Sequence, residues 1–102
     1  QEKAILQSRL PELASESVAN MVAFANLARR AFEQGDLSSL ISLRTLVSWG
    51  ENTALLADTH EAMRLTFFNR CDETERPLVN EIYQRCFDVD LYENSRDAFP
   101  LY

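Results

Sequence analysis

Gly35-Asp36-Leu37-Ser38-Ser39-Leu40-Ile41-Ser42-Leu43-Arg44-Thr45-Leu46-Val47-Ser48-Trp49-Gly50-Glu51-Asn52 is the stretch whose reading decides the fold. It begins with a chain break at Gly35, passes through a short polar loop (Asp36, Ser38, Ser39), and enters a helical run that continues to Asp58. Ser42 is a good N-cap, because its hydroxyl can accept from a free amide of the first turn. Arg44 then falls in that first turn, where the positive end of the helix dipole disfavours a cation unless something anionic lies in front of it. A helix start offers amides to anions, and a guanidinium offers a planar, permanently charged fork, so this arginine is placed to meet a phosphate. An ordinary surface arginine is the plainer reading until the rest of the chain is weighed.

Before the break, Val18, Met21, Val22, Ala25, Ala28 and Phe32 recur at helical spacing from Ser15 or Ser17 onward. Gly35 serves as the C-cap residue and Arg29 and Arg30 occupy the last turns, where cations suit the dipole. Gln1 to Leu10 reads as a short helix stopped by Pro11, making residues 1–14 a connector into a helical domain of residues 15–87. Within the central helix, Leu43, Leu46, Val47, Ala54, Leu55 and Leu56 supply the apolar positions, and Trp49 is expected in the core with its indole nitrogen seeking a local acceptor. Gly50 costs about 1 kcal/mol in a helix interior, which marks close packing of a neighbouring helix.

After Asp58, Thr59 is expected to cap a third helix carrying Ala62, Met63, Leu65, Phe67, Phe68 and Cys71. Thr74 is expected to cap a fourth, with Pro77 in its first turn and Leu78, Val79, Ile82, Tyr83, Cys86 and Phe87 as its inward row. Residues 88–102 form an irregular tail in which Leu91, Tyr92, Phe99, Leu101 and Tyr102 are available for docking and Pro100 stands near the end. No alternating strand-length run, hairpin dipeptide or internal repeat occurs. The expected fold is therefore all-α: a small four-helix bundle, with its third and fourth helices antiparallel across a short connection.

The 102 residues suffice for one domain, and a 46% hydrophobic content excludes a disordered chain. A net charge of -6 argues against nucleic acid or an acidic membrane as partner, since both demand a basic footprint. No apolar run approaches the length of a membrane span. The chain begins at Gln1 without a signal-peptide pattern, which suggests a segment of a longer cytoplasmic protein. Its two isolated glycines rule out a glycine-rich phosphate loop.

Cys71 and Cys86 fall near the ends of consecutive helices, and a dozen residues at about 1.5 Å each separate them by roughly 18 Å, too far for a disulfide. Both read as buried free thiols of a reducing compartment. One histidine leaves a zinc site short of ligands, so no metal site is expected, and His60 near a helix start reads as solvated. Asp72, Glu73 and Glu75 alternate with Arg70 and Arg76 at a helix corner, a pattern of capping and surface ion pairs; contact with a neighbouring subunit is the other use for it.

Cys71-Asp72-Glu73-Thr74-Glu75-Arg76-Pro77-Leu78-Val79, followed by Glu81 and Tyr83-Gln84-Arg85-Cys86-Phe87, resembles the C-terminal end of the small ATPase subunits of aerobic cobaltochelatases. Trp49-Gly50-Glu51-Asn52, Phe67-Phe68-Asn69 and Gly35-Asp36-Leu37-Ser38 fit the same comparison, which covers roughly residues 17–87. Those subunits are AAA+ ATPases of the branch that includes magnesium chelatases and the MoxR group, and the resemblance is to their helical lid. It implies ATP and Mg2+ as cofactors of the parent protein, with none held by this segment alone. It implies as partners an AAA+ core preceding Gln1, neighbouring subunits of a ring, and other chelatase subunits. Arg44 falls at the second-sensor arginine that reads the γ-phosphate, as the catalytic residue of the lid, with Ser42 and Thr45 beside it in nucleotide binding. The usual pattern has proline before that arginine, and here Leu43 stands there. The resemblance leaves open whether Arg44 serves its own subunit's nucleotide or a neighbour's. A free-standing helical adaptor without nucleotide is the competing class, and a first-turn arginine behind a cap is the feature it has no use for.

Overall fold

The computed structural model describes residues 1–92 and places five α-helices and no strand among them. Helix α2, Ser15–Glu33, is the longest, and Val18, Met21, Phe24, Ala25, Ala28 and Ala31 bury its inner face. Its end shows why Gly35 stands there. Gly35, at φ 84°, lets its own amide reach the Phe32 carbonyl (3.0 Å) and the Asp36 amide reach the Ala31 carbonyl (2.8 Å), satisfying two orphan acceptors of the last turn. Phe32, counted with the inward row by spacing, is instead exposed beside this turn.

Helix α3, Leu43–Leu56, starts at Ser42 and buries Leu46, Val47, Trp49, Gly50 and Thr53. Leu55 and Leu56 lie on the open side. The helix ends at Ala57 in the left-handed region (φ 55°). Helix α4, Thr59–Thr66, is capped one residue earlier than expected: Asp58, not Thr59, accepts from the His60 and Glu61 amides at 3.0 and 3.1 Å. Thr59 contributes its carbonyl to the Trp49 indole N–H (3.0 Å). The α-helical ladder stops at Thr66 and passes into a 3₁₀ turn, Phe68–Arg70, leaving Cys71 outside the helix. Adjacent Phe67 and Phe68 are both buried, because the chain leaves helical geometry at Phe67 (φ -135°, ψ -52°) between α4 and the 3₁₀ turn.

Helix α5, Arg76–Phe87, begins after Thr74 rather than on it. Thr74 donates its amide and hydroxyl to Asp72 Oδ1 at 2.9 and 2.8 Å, forming the turn before the helix. Glu75 accepts from the Ser38 amide and hydroxyl, so the charged corner is fastened to the α2–α3 loop by hydrogen bonds. Helix α5 packs chiefly on α2, and α4 on α3, in place of a tight α4–α5 pair. Beyond α5 the chain folds back: Leu91 is buried, its amide donating to Asn80 Oδ1 and its carbonyl accepting from Arg64 Nε (2.7 Å). Phe99, Pro100, Leu101 and Tyr102 lie outside the described residues.

An aromatic cluster joins the long helices. Phe24 meets Trp49, Tyr83 and Phe67 edge-on at 5.7, 5.4 and 6.2 Å, and Tyr83 stacks on Phe87 at 4.5 Å. His60 belongs to this cluster and is not solvated. It is half-buried, its Nδ1 lies 2.8 Å from the Tyr83 hydroxyl, and burial lowers its pKa against the opposing pull of Asp58.

The N-terminal helix α1, Glu2–Arg9, packs on α2 and α3, with Leu6 fully buried. Gly50 is what admits it: a Cβ there would lie 2.6 Å from Leu10 Cδ1 and 3.4 Å from Leu6 Cδ2. No helix among the described residues is long and apolar enough to cross a membrane.

Candidate functional site

The first turn of α3 is built from its cap outward. Ser42 is extended (φ -79°, ψ 173°), and its Oγ accepts from the Thr45 amide at 3.2 Å while lying 3.1 Å from Thr45 Oγ1. The two hydroxyls are thus engaged with each other and with the turn. The Ser42 carbonyl accepts from Leu46 as the first rung of the ladder (2.9 Å). No acidic residue stands in that first turn to offset a cation. Of Ser42, Arg44 and Thr45, Arg44 alone has a side chain with no hydrogen bond or ion pair among the described residues, and it is exposed.

Just before the cap, Arg29 fixes the approach of the chain. Its Nε donates to the Ile41 carbonyl at 2.8 Å, and Nη1 and Nη2 each reach a carboxylate oxygen of Glu2 at 2.7 Å. One part-buried guanidinium therefore ties α1, α2 and the segment leading to Ser42. The fork geometry makes this pair directional as well as charged. Arg29 holds the Glu2 carboxyl below its ordinary range, first through these bonds and then by charge.

Arg44 opens on a cleft of about 380 Å3 between α1 and α3. Ile5, Leu43 and Val47 form its apolar wall, and Arg9, Arg44, Ser48 and Glu51 its polar lining. Arg9 comes from the last turn of α1. Sequence reasoning missed it, because only the seating of α1 against Gly50 brings residue 9 alongside residue 44. The signal in the sequence was Gly50 itself.

This arrangement suits an anion. Two guanidinium groups and the start of a helix favour phosphate oxygens, and an apolar wall strengthens such contacts by excluding water. It does not suit Mg2+, which wants carboxylate and water oxygens. Among the described residues no group of three His, Cys, Asp or Glu side chains is placed to hold a metal ion. Cys71 and Cys86 are free, and burial raises both thiols above their ordinary pKa.

The model of the CbbQ/NirQ/NorQ C-terminal family matches residues 2–79, from α1 into the first turn of α5, with the whole cleft included. The aerobic cobaltochelatase subunit CobS of a Sinorhizobium species is 50% identical over 78 residues, covering 76% of this chain and 24% of that protein. The chain therefore spans about a quarter of the length of that relative. No solved structure matches it.

Proposed function

This chain belongs to the CbbQ/NirQ/NorQ C-terminal family, and we propose that it acts as the lid of an AAA+ ATPase, reading bound ATP through Arg44. The observation that carries the reading is an uncommitted guanidinium in the first turn of a capped helix, facing a cleft and lacking an acidic neighbour in that turn. An adaptor that binds no nucleotide has no need of this arrangement.

ATP, when bound, supplies a terminal phosphate whose presence or loss the lid can register. Arg44 donates charge-assisted hydrogen bonds to it and loses their anchor when that phosphate leaves. Ser42 and Thr45 hold the turn from which Arg44 projects, and the nearby amides add donors. Arg29 and the contact at Gly50 make residues 1–14 part of the same body, so force applied at α1 is passed to α2 and α3. Mg2+ is held elsewhere, on an AAA+ core that precedes this domain. Likeness to a cobaltochelatase subunit supports a lid working in a ring, with other subunits of a metal-inserting complex as partners. The exposed Leu40, Leu55, Leu56 and Leu65 provide apolar surface for such contacts. Free thiols agree with a cytoplasmic setting.

The test is Arg44→Ala in the protein carrying the core. Turnover should fall by a large factor, about 10³ for an arginine acting directly on the transferring phosphoryl group and less for one off the reaction axis. The melting temperature should hold, since an exposed arginine unfavourably placed against the dipole contributes little to stability. Arg44→Lys should not restore full turnover, because a point charge cannot reproduce the fork. Wild-type turnover in Arg44→Ala refutes the assignment.

A further inference from the structure

We propose that Arg9 is a second anion contact in the cleft that Arg44 faces, so that a polyphosphate is held jointly by the end of α1 and the start of α3. The inference rests on the Arg44 reading and adds to it a residue from another helix.

Both arginines line one cleft, both are exposed, and neither makes an ion pair among the described residues. Arg29, Arg64 and Arg85 each have a carboxylate partner; Arg30, Arg70 and Arg76 have no ion pair among the described residues either, and the shared cleft is what sets Arg9 and Arg44 apart. Glu51 is the one acidic side chain in the lining, so the cleft carries two positive charges against one negative in a chain whose net charge is -6. Two like charges beside an apolar wall repel each other, and a multiply charged anion between them removes that cost. The chemistry selects the ligand class. A guanidinium pair matches the several oxygens of a di- or triphosphate, each fork taking two. Leu6 and Leu10 seat α1 on Gly50, which is what brings the helix carrying Arg9 alongside the one carrying Arg44. Glu51 opposes the same anion, which keeps the site weak and its occupancy reversible.

The test uses this 102-residue chain and inorganic tripolyphosphate, followed by NMR of the arginine Nε–Hε signals at constant ionic strength. Signals of Arg9 and Arg44 should move together along one saturating curve. Arg9→Ala and Arg44→Ala should each weaken binding about three- to tenfold, as expected of partly exposed charge-assisted contacts, with unchanged melting temperature. Arg9→Lys should recover part of the loss, and Glu51→Gln should tighten binding. If Arg44 responds while Arg9 stays still and Arg9→Ala binds like wild type, the joint site is overturned and the Arg44 reading stands. If Arg9 responds and Arg44→Ala binds normally, the joint site is overturned, and the turnover of Arg44→Ala in the full ATPase decides the Arg44 reading. Absence of any saturable shift overturns the joint site, and the turnover of Arg44→Ala in the full ATPase then decides the Arg44 reading separately.

Discussion

Replacing Gly50 by alanine sets two known effects against each other at a defined contact. Alanine is better than glycine inside a helix by about 1 kcal/mol, so at an unobstructed site the change would stabilise. Here the new methyl would lie 2.6 Å from Leu10 Cδ1, and Leu10 must withdraw by about 0.8 Å to reach ordinary contact at 3.4 Å. Leu6 Cδ2, already at 3.4 Å, needs no movement. Leu10 Cδ1 is the tip of a side chain at the rim of the core, so its withdrawal costs about 1 kcal/mol, the low end for overpacking, and the two effects nearly cancel. Leu10→Ala alone should cost about 2–3 kcal/mol, the low end for a buried leucine, because Leu10 sits at the rim of the core. In that background the obstruction is gone, and Gly50→Ala should become a gain of about 1 kcal/mol. The double-mutant cycle should thus give a coupling of about 1 kcal/mol. Urea unfolding of the four proteins, fitted with a common slope, measures it. A stabilising Gly50→Ala in both backgrounds would refute the claim that this glycine exists to seat α1.

Acid should destabilise the fold through His60. Burial depresses its pKa below 6.5, so the neutral ring bonded to Tyr83 contributes fully above that pH, and the contribution is lost as pH falls through the depressed value. Melting temperature should drop more between pH 7 and 5 in wild type than in His60→Gln. Glu2 behaves likewise at lower pH: its depressed pKa means that the pair with Arg29 stabilises above about 4.5 and fades as pH falls below it. Arg29→Ala should cost about 1–2 kcal/mol near neutrality, and Arg29→Lys should recover little, since lysine cannot hold Glu2 and the Ile41 carbonyl in one plane. Thiol titration should find Cys86 slowly reactive in the native chain and Cys71, buried behind the 3₁₀ turn, reactive only as the fold opens; equal native reactivity would contradict that placement.

The all-α fold and the two longest helices were legible because their punctuation is local. Ser42 and Gly35 act on amides and carbonyls close by in sequence, and the helices they bound carry apolar rows at helical spacing, from which only Phe32, Leu43, Leu55 and Leu56 turn outward. The start of α4 differs from expectation because two capping residues compete, Asp58 with Thr59, and α5 starts later because Asp72 draws the Thr74 amide and hydroxyl into a turn ahead of it, leaving Glu75 at the N-cap position with no side-chain cap. A carboxylate accepts two amides at once and wins over a hydroxyl. The missed features were those made by distant residues. His60 looks solvated until Tyr83, 23 positions away, supplies its partner, and α1 reads as a mere connector until Leu6 and Leu10 meet Gly50. For the site, the sequence could place Arg44 on its turn and could not place Arg9 beside it, for the same reason.

Trp49 is the only tryptophan in the chain, and no part of it is exposed. Its ring lies against Phe24 of α2 and against Tyr83 and Phe87 of α5, while its nitrogen is tied to Thr59 at the start of α4. One chromophore on α3 therefore touches three other helices and works as a strain gauge for the whole body. If the domain swings as a single lever, its emission stays constant through the swing. If α2 shears past α3, the surroundings of the indole change and the emission colour changes with them.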